Sequence, residues 1–158
     1  MSPVRHRITT WLPPVLVTGI DVAWAWTLTS LAKPWFLQML GRPELEAITY
    51  YDNVMEPRLW IGYAIVLATQ LAWVYGIAAR SLTKAQLRLC WWLGCGLIFS
   101  SSLLLRQGLT LPAGPSLLLL GVHCGDLLLL YWLSTGLMTP QSSRGVIPGW
   151  SRPSVTSS

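Results

Sequence analysis

Residues 117–138 constrain the chain more than any other stretch. Leucine quartets at 117–120 and 127–130 enclose Gly121, Val122, His123, Cys124, Gly125 and Asp126, so one apolar run carries an imidazole and a carboxylate near its middle. As a helix, such a run is long enough to cross the ~30 Å hydrocarbon core of a bilayer. A charge at the bilayer centre costs at least ~3 kcal/mol on insertion scales, so the fold must give Asp126 partners. The other mid-span acid is Asp21.

The composition agrees with lipid as the solvent. Charged residues make up 11% of the chain, against roughly 25% in soluble domains. The net charge of +5 does not point to nucleic acid, because the basic residues sit beside apolar runs instead of forming a stripe. Cys90, Cys95 and Cys124 lie inside apolar segments without a CxxC pair, and read as small hydrophobes.

Four spans are predicted, at about 11–31, 59–79, 89–105 and 117–138. They define an all-α integral membrane protein whose residues 1–138 form a bundle of four transmembrane helices, with a disordered cytoplasmic tail at 139–158. Arg5, His6 and Arg7 ahead of an apolar run resemble the start of a secretory signal. Asp21 inside that run and the bulky Trp24 and Trp26 around Ala25 argue that the segment is retained as a span. It is the least apolar of the four, and is expected to depend on its neighbours.

Between the first and second spans the sequence predicts an interfacial segment. Trp35, Phe36 and Leu37 suit the membrane surface, Gly41-Arg42-Pro43 breaks the chain, and 44–52 forms a short amphipathic helix. In the second span Tyr63, Val66, Gln70, Trp73 and Ile77 share one stripe, which is expected to face other helices. In the third, Gly94, Gly96 and Ser100 are predicted packing residues, since small residues let helices approach closely. Trp91 and Trp92 are placed at its interface.

Orientation follows the basic residues. Arg5, Arg7, Arg80, Lys84, Arg88, Arg144 and Arg152 fall on one side, against Lys33, Arg42, Arg58 and Arg106 on the other, where Glu44, Glu46, Asp52 and Glu56 also lie. Both termini are therefore expected in the cytoplasm, in a bacterial-type inner or thylakoid membrane.

Counting depth along the predicted spans puts Asp21 and Asp126 each about 15 Å from a span end, near the midplane, with His123 one turn from Asp126. If the first and last helices pack together, Asp21, His123 and Asp126 converge, and Gln70 adds a fourth intramembrane polar group. Two bare carboxylates cannot share such a site, so one acid is protonated or pairs with a charged His123. His123 is the one candidate pigment ligand. Haem of the bis-histidine type lacks a second ligand, because His6 lies outside the spans. No other metal site, and no cofactor, is required by the sequence.

No phosphate loop, HExxH or nucleophile elbow occurs, which weighs against an enzyme and leaves no catalytic residue to name. The sequence reading favours an accessory or assembly subunit of a larger membrane complex, with the bilayer and other membrane subunits, or further copies of itself, as partners. Its rival is a small transporter or proton-coupled carrier using the intramembrane acids.

Overall fold

The computed structural model describes residues 3–40, 43–78, 82–107, 113–140 and 143–150, without the side chains of 3–14, 32, 40, 78, 113 and 115. The predicted break at Gly41 and Arg42, the basic Arg80, the turn residues Gly108 and Pro112, and residues 151–158 of the tail lie outside this set. Among the described residues the chain is all-helical apart from short turns, with no strand. Helix α1 covers Pro3–Leu40, α2 Glu44–Tyr50, α3 Glu56–Ala78, α4 Lys84–Gln107 and α5 Ala113–Met138. Four stretches are long and apolar enough to cross a membrane, namely Val15–Met39, Glu44–Ile77, Lys84–Gln107 and Ser116–Met138.

Side-chain pairings give the topology. Tyr63 meets Asp126 and Trp73 meets Thr139, so α3 and α5 run parallel. Trp91 meets Thr135, and Tyr131 fills the space beside Gly94, so α4 runs against α5. Asp21 meets Ser134 and Trp24 meets Asp126, so α1 also runs against α5. The core between α3, α4 and α5 holds Val66, Trp73, Trp91, Ile98, Leu127 and Tyr131. The stripe expected on the second span faces it: Tyr63, Val66, Gln70 and Trp73 are buried and Ile77 packs against them.

The connection between the first two spans differs from the expected interfacial segment. α1 does not end near Leu31 but continues to Leu40, and α2 joins α3 through one wide π turn, Tyr51–Met55. The reason lies in the spacing of Ala47, Tyr51, Met55 and Leu59, all buried. Four-residue steps drift around an α-helix of 3.6 residues per turn, and one wider turn offsets that drift. The four side chains therefore stay against α1, where they form a second core with Phe36, Leu105 and Leu119. Tyr51 donates to the Thr29 carbonyl at 3.0 Å, and Lys33 pairs with Asp52. The 34 residues of Glu44–Ile77 would measure about 51 Å as helix. That exceeds the ~30 Å hydrocarbon core of a bilayer.

The tail differs too. Residues 143–150 are ordered: Val146 and Ile147 are buried, and the Trp150 indole occupies the space beside Gly136 that a Cβ would fill. Arg144 donates through Nε to the Thr139 carbonyl at 2.9 Å, closing the α5 C-terminus, and lies over the Trp150 ring. Serine, proline and glycine content suggested disorder, but Val146, Ile147 and Trp150 supply enough apolar surface to fasten the segment.

Candidate functional site

The polar residues singled out in the spans do not form one cluster. They form two, stacked along the seam where α1 meets α3 and α5.

The first is built on Asp126. Tyr63 of α3 donates its hydroxyl to Oδ2 at 2.7 Å, and Trp24 of α1 donates its indole N–H to Oδ1 at 3.0 Å. Each carboxylate oxygen thus binds a different helix. Among the described residues no cation pairs with Asp126. His123 is buried and stands edge-on to the Tyr63 ring, with centroids 5.8 Å apart. Its Nε2 lies against the α3 backbone, only 2.8 Å from where a Cβ on Gly62 would be. That leaves no room for a flat macrocycle on Nε2, which argues against the pigment reading. Gly62 is therefore a close-approach residue, and it was not singled out from the sequence. It stands four residues before Val66 on the buried stripe, and that register alone was available to find it.

The second is built on Asp21, which is 6% exposed. Ser134 of α5 donates to Oδ1 at 2.8 Å. Gln70 of α3 neighbours the same carboxylate, yet neither of its amide atoms completes a hydrogen bond, and Asp21 Oδ2 also has no partner. Three unpaired polar atoms in one buried place are unusual, because buried polar groups are nearly always bonded.

The predicted level pairing of Asp21 with Asp126 is not found. Ser134, the partner of Asp21, lies two turns beyond Asp126, about 12 Å along α5. Depth was counted inward from predicted span ends at residues 11 and 117, and α1, which runs from Pro3 to Leu40, has neither end where the 11–31 span put it.

The small residues of α4 also separate. Gly94 is buried, and a Cβ there would strike the Tyr131 hydroxyl and Thr69. Gly96 meets nothing within 4 Å, and Ser100 faces outward with it. The two tryptophans divide likewise. Trp92 is 55% exposed while Trp91 is in the core, donating to Thr135 Oγ1 at 3.1 Å. Adjacent helical residues point about 100° apart, so the two rings leave the helix in different directions. Beside this face an apolar cleft of about 830 Å³ opens between α3 and α4, lined by Thr69, Trp73, Leu87, Leu97 and Tyr131 among others.

No protein-family model, curated protein or solved structure matches the chain. The class defined by the fold is an all-helical chain with four helices long and apolar enough to span a membrane.

Proposed function

We propose that this chain is a small polytopic membrane protein, with both termini cytoplasmic, that acts as an accessory or assembly subunit by packing its α4 face against a helix of a larger complex. The observation that supports this most is the outward-facing pair Gly96 and Ser100, set among the exposed Trp92, Phe99 and Leu103. Lipid tails gain nothing from small residues, whereas a second helix gains close backbone approach and van der Waals contact. Asp126, engaged on both oxygens by neighbouring helices, serves in this reading to hold the bundle together.

Gentle purification from native membranes tests it. The chain should elute with a larger complex, and Gly96→Leu should release it while leaving its own melting unchanged, because Gly96 has open space around it. Elution alone, or a Gly96→Leu variant that stays bound, would overturn the subunit role. Elution as a symmetrical multimer would make the partner a second copy.

A second reading, a small proton-coupled carrier, draws on Asp21 and its unpaired Oδ2. It requires that Asp21→Asn abolish flux in proteoliposomes with assembly intact, and an unchanged flux would dismiss it.

A further inference from the structure

Between α1 and α3 lies a hollow of about 150 Å³, with Asp21 in its wall beside Val22, Ala25, Trp60, Tyr63 and Leu67. Asp21 is 6% exposed, and its buried Oδ2 has no hydrogen-bond partner. The remaining polar side-chain atoms of the named residues are already engaged. Trp60 donates its N–H to Glu56 Oε1 at 3.4 Å, and Tyr63 donates its hydroxyl to Asp126. An occupant would therefore meet aliphatic walls, the rings of Trp60 and Tyr63, and one carboxylate oxygen.

That combination selects a ligand class by elimination. A water molecule needs about two to four polar partners to be stable in a cavity, and the lining offers a single free acceptor, because the unpaired Gln70 amide beside the carboxylate is not part of it. Hard metal ions take about six or more oxygen ligands. A neutral apolar molecule would leave the buried Oδ2 without a partner, at a desolvation cost. An organic ammonium ion meets all three features of the wall. Its charge answers the carboxylate, its carbon skeleton lies against the aliphatic side chains, and aromatic faces attract cations within about 6 Å of the ring centre. The size is also suitable, since an apolar cavity of about 150 Å³ holds a benzene ring.

We infer that this hollow binds a small lipophilic ammonium ion, with Asp21 as its counter-ion and Trp60 and Tyr63 as its aromatic walls. The inference goes beyond both functional readings, neither of which assigns a ligand, and it requires no transport. A free amine and an aminophospholipid headgroup present the same ammonium chemistry.

Calorimetric titration of the full-length protein in detergent tests it, with benzylamine as the cationic probe and benzyl alcohol as its near-isosteric neutral control. Benzylamine should bind saturably and at least tenfold more tightly than benzyl alcohol. Asp21→Asn should weaken it at least tenfold. Ala64→Phe, which fills the hollow from an outward-facing wall position and leaves the carboxylate in place, should abolish binding without loss of monodisperse elution. Displacement of benzylamine by short-chain phosphatidylethanolamine would make the source a lipid headgroup, and failure to displace it would make the source a free amine. Equal binding of the alcohol, absence of saturable benzylamine binding, or wild-type affinity in Ala64→Phe would overturn the assignment. The Ala64→Phe arm stands even if Asp21→Asn fails to fold.

Discussion

Asp126 should tolerate asparagine and reject leucine. Its carboxylate accepts from the Tyr63 hydroxyl at 2.7 Å and from the Trp24 indole at 3.0 Å. In Asp126→Asn the amide carbonyl can take the indole, which only donates, while the new NH₂ turns to the Tyr63 hydroxyl, which can also accept. Both links survive in neutral form, so the expected loss is below about 1 kcal/mol. Asp126→Leu makes α5 more apolar but leaves the hydroxyl of the buried Tyr63 and the indole N–H of the outward-facing Trp24 without partners, and an unsatisfied donor costs about 1–3 kcal/mol where it is buried. Within a membrane bundle, interhelical polar pairs average ~0.6 and reach ~1.7 kcal/mol. The loss for leucine is therefore expected near 1.5–3 kcal/mol. Adding Tyr63→Phe should cost about 0.6–1.7 kcal/mol in the wild type and almost nothing beside Asp126→Leu, where the partner is already gone. Reversible unfolding in mixed micelles, followed by tryptophan fluorescence, measures all four variants. If Asp126→Leu is as stable as the wild type, or the two changes simply add, Asp126 does not tie α1 and α3 to α5 and the reasoning fails.

Three further outcomes use the same assay or a simple probe. Gly94→Ala should destabilise by about 1–3 kcal/mol through overpacking, because its Cβ meets the Tyr131 hydroxyl and Thr69. Gly96→Ala should be neutral or slightly stabilising in the isolated chain. Gly136→Val should expel the Trp150 indole from its seat, seen as faster proteolysis within 143–150 with the helical circular dichroism unchanged. Lys33→Ala should cost less than about 1 kcal/mol, since the Lys33 and Asp52 side chains of this ion pair are 35% and 41% exposed.

Local chemistry made some of this legible before the structure and left the rest hidden. The four apolar runs, the buried stripe through Gln70 and the packing role of Gly94 follow from span length and helical periodicity, which are properties of a segment alone. The π turn, the long α1 and the ordered 143–150 depend on what a segment meets. Pro43 and Gly41 read as a break, and nothing local says that α1 continues until it reaches them. The partners of the acids were hidden for the same reason. Ser134 and Trp24 are unremarkable in a span, and only the register between α1 and α5 sets one against Asp21 and the other against Asp126. Depth counted from predicted span ends set the two acids level, whereas Asp21 meets Ser134, two turns along α5 from Asp126.

The polar groups also explain why the weakest span is held at all. In lipid the hydrophobic effect gives helices no reason to associate, so packing and hydrogen bonds must do so. The helices α3, α4 and α5 share the larger core, with Trp73, Trp91, Ile98, Leu127 and Tyr131 interlocked among them. α1 lies on the flank with Val15, Leu16, Ile20, Trp26 and Leu31 facing outward. What fastens it is a ladder of polar links, from Ser134 to Asp21, Trp24 to Asp126, Tyr51 to the Thr29 carbonyl, and Lys33 to Asp52. On the proposed membrane reading, an acid that would make α1 costly to insert alone is thus the group that α5 recognises once both helices are in place. Removing a rung should loosen α1 before it disturbs the other three helices. Asp126→Leu should therefore raise maleimide labelling of a cysteine introduced at Ala25, which is 2% exposed, more than labelling of one at Ile98 in the α3–α5 core. Equal labelling at the two positions would mean that the four helices separate together and that the ladder has no special hold on α1.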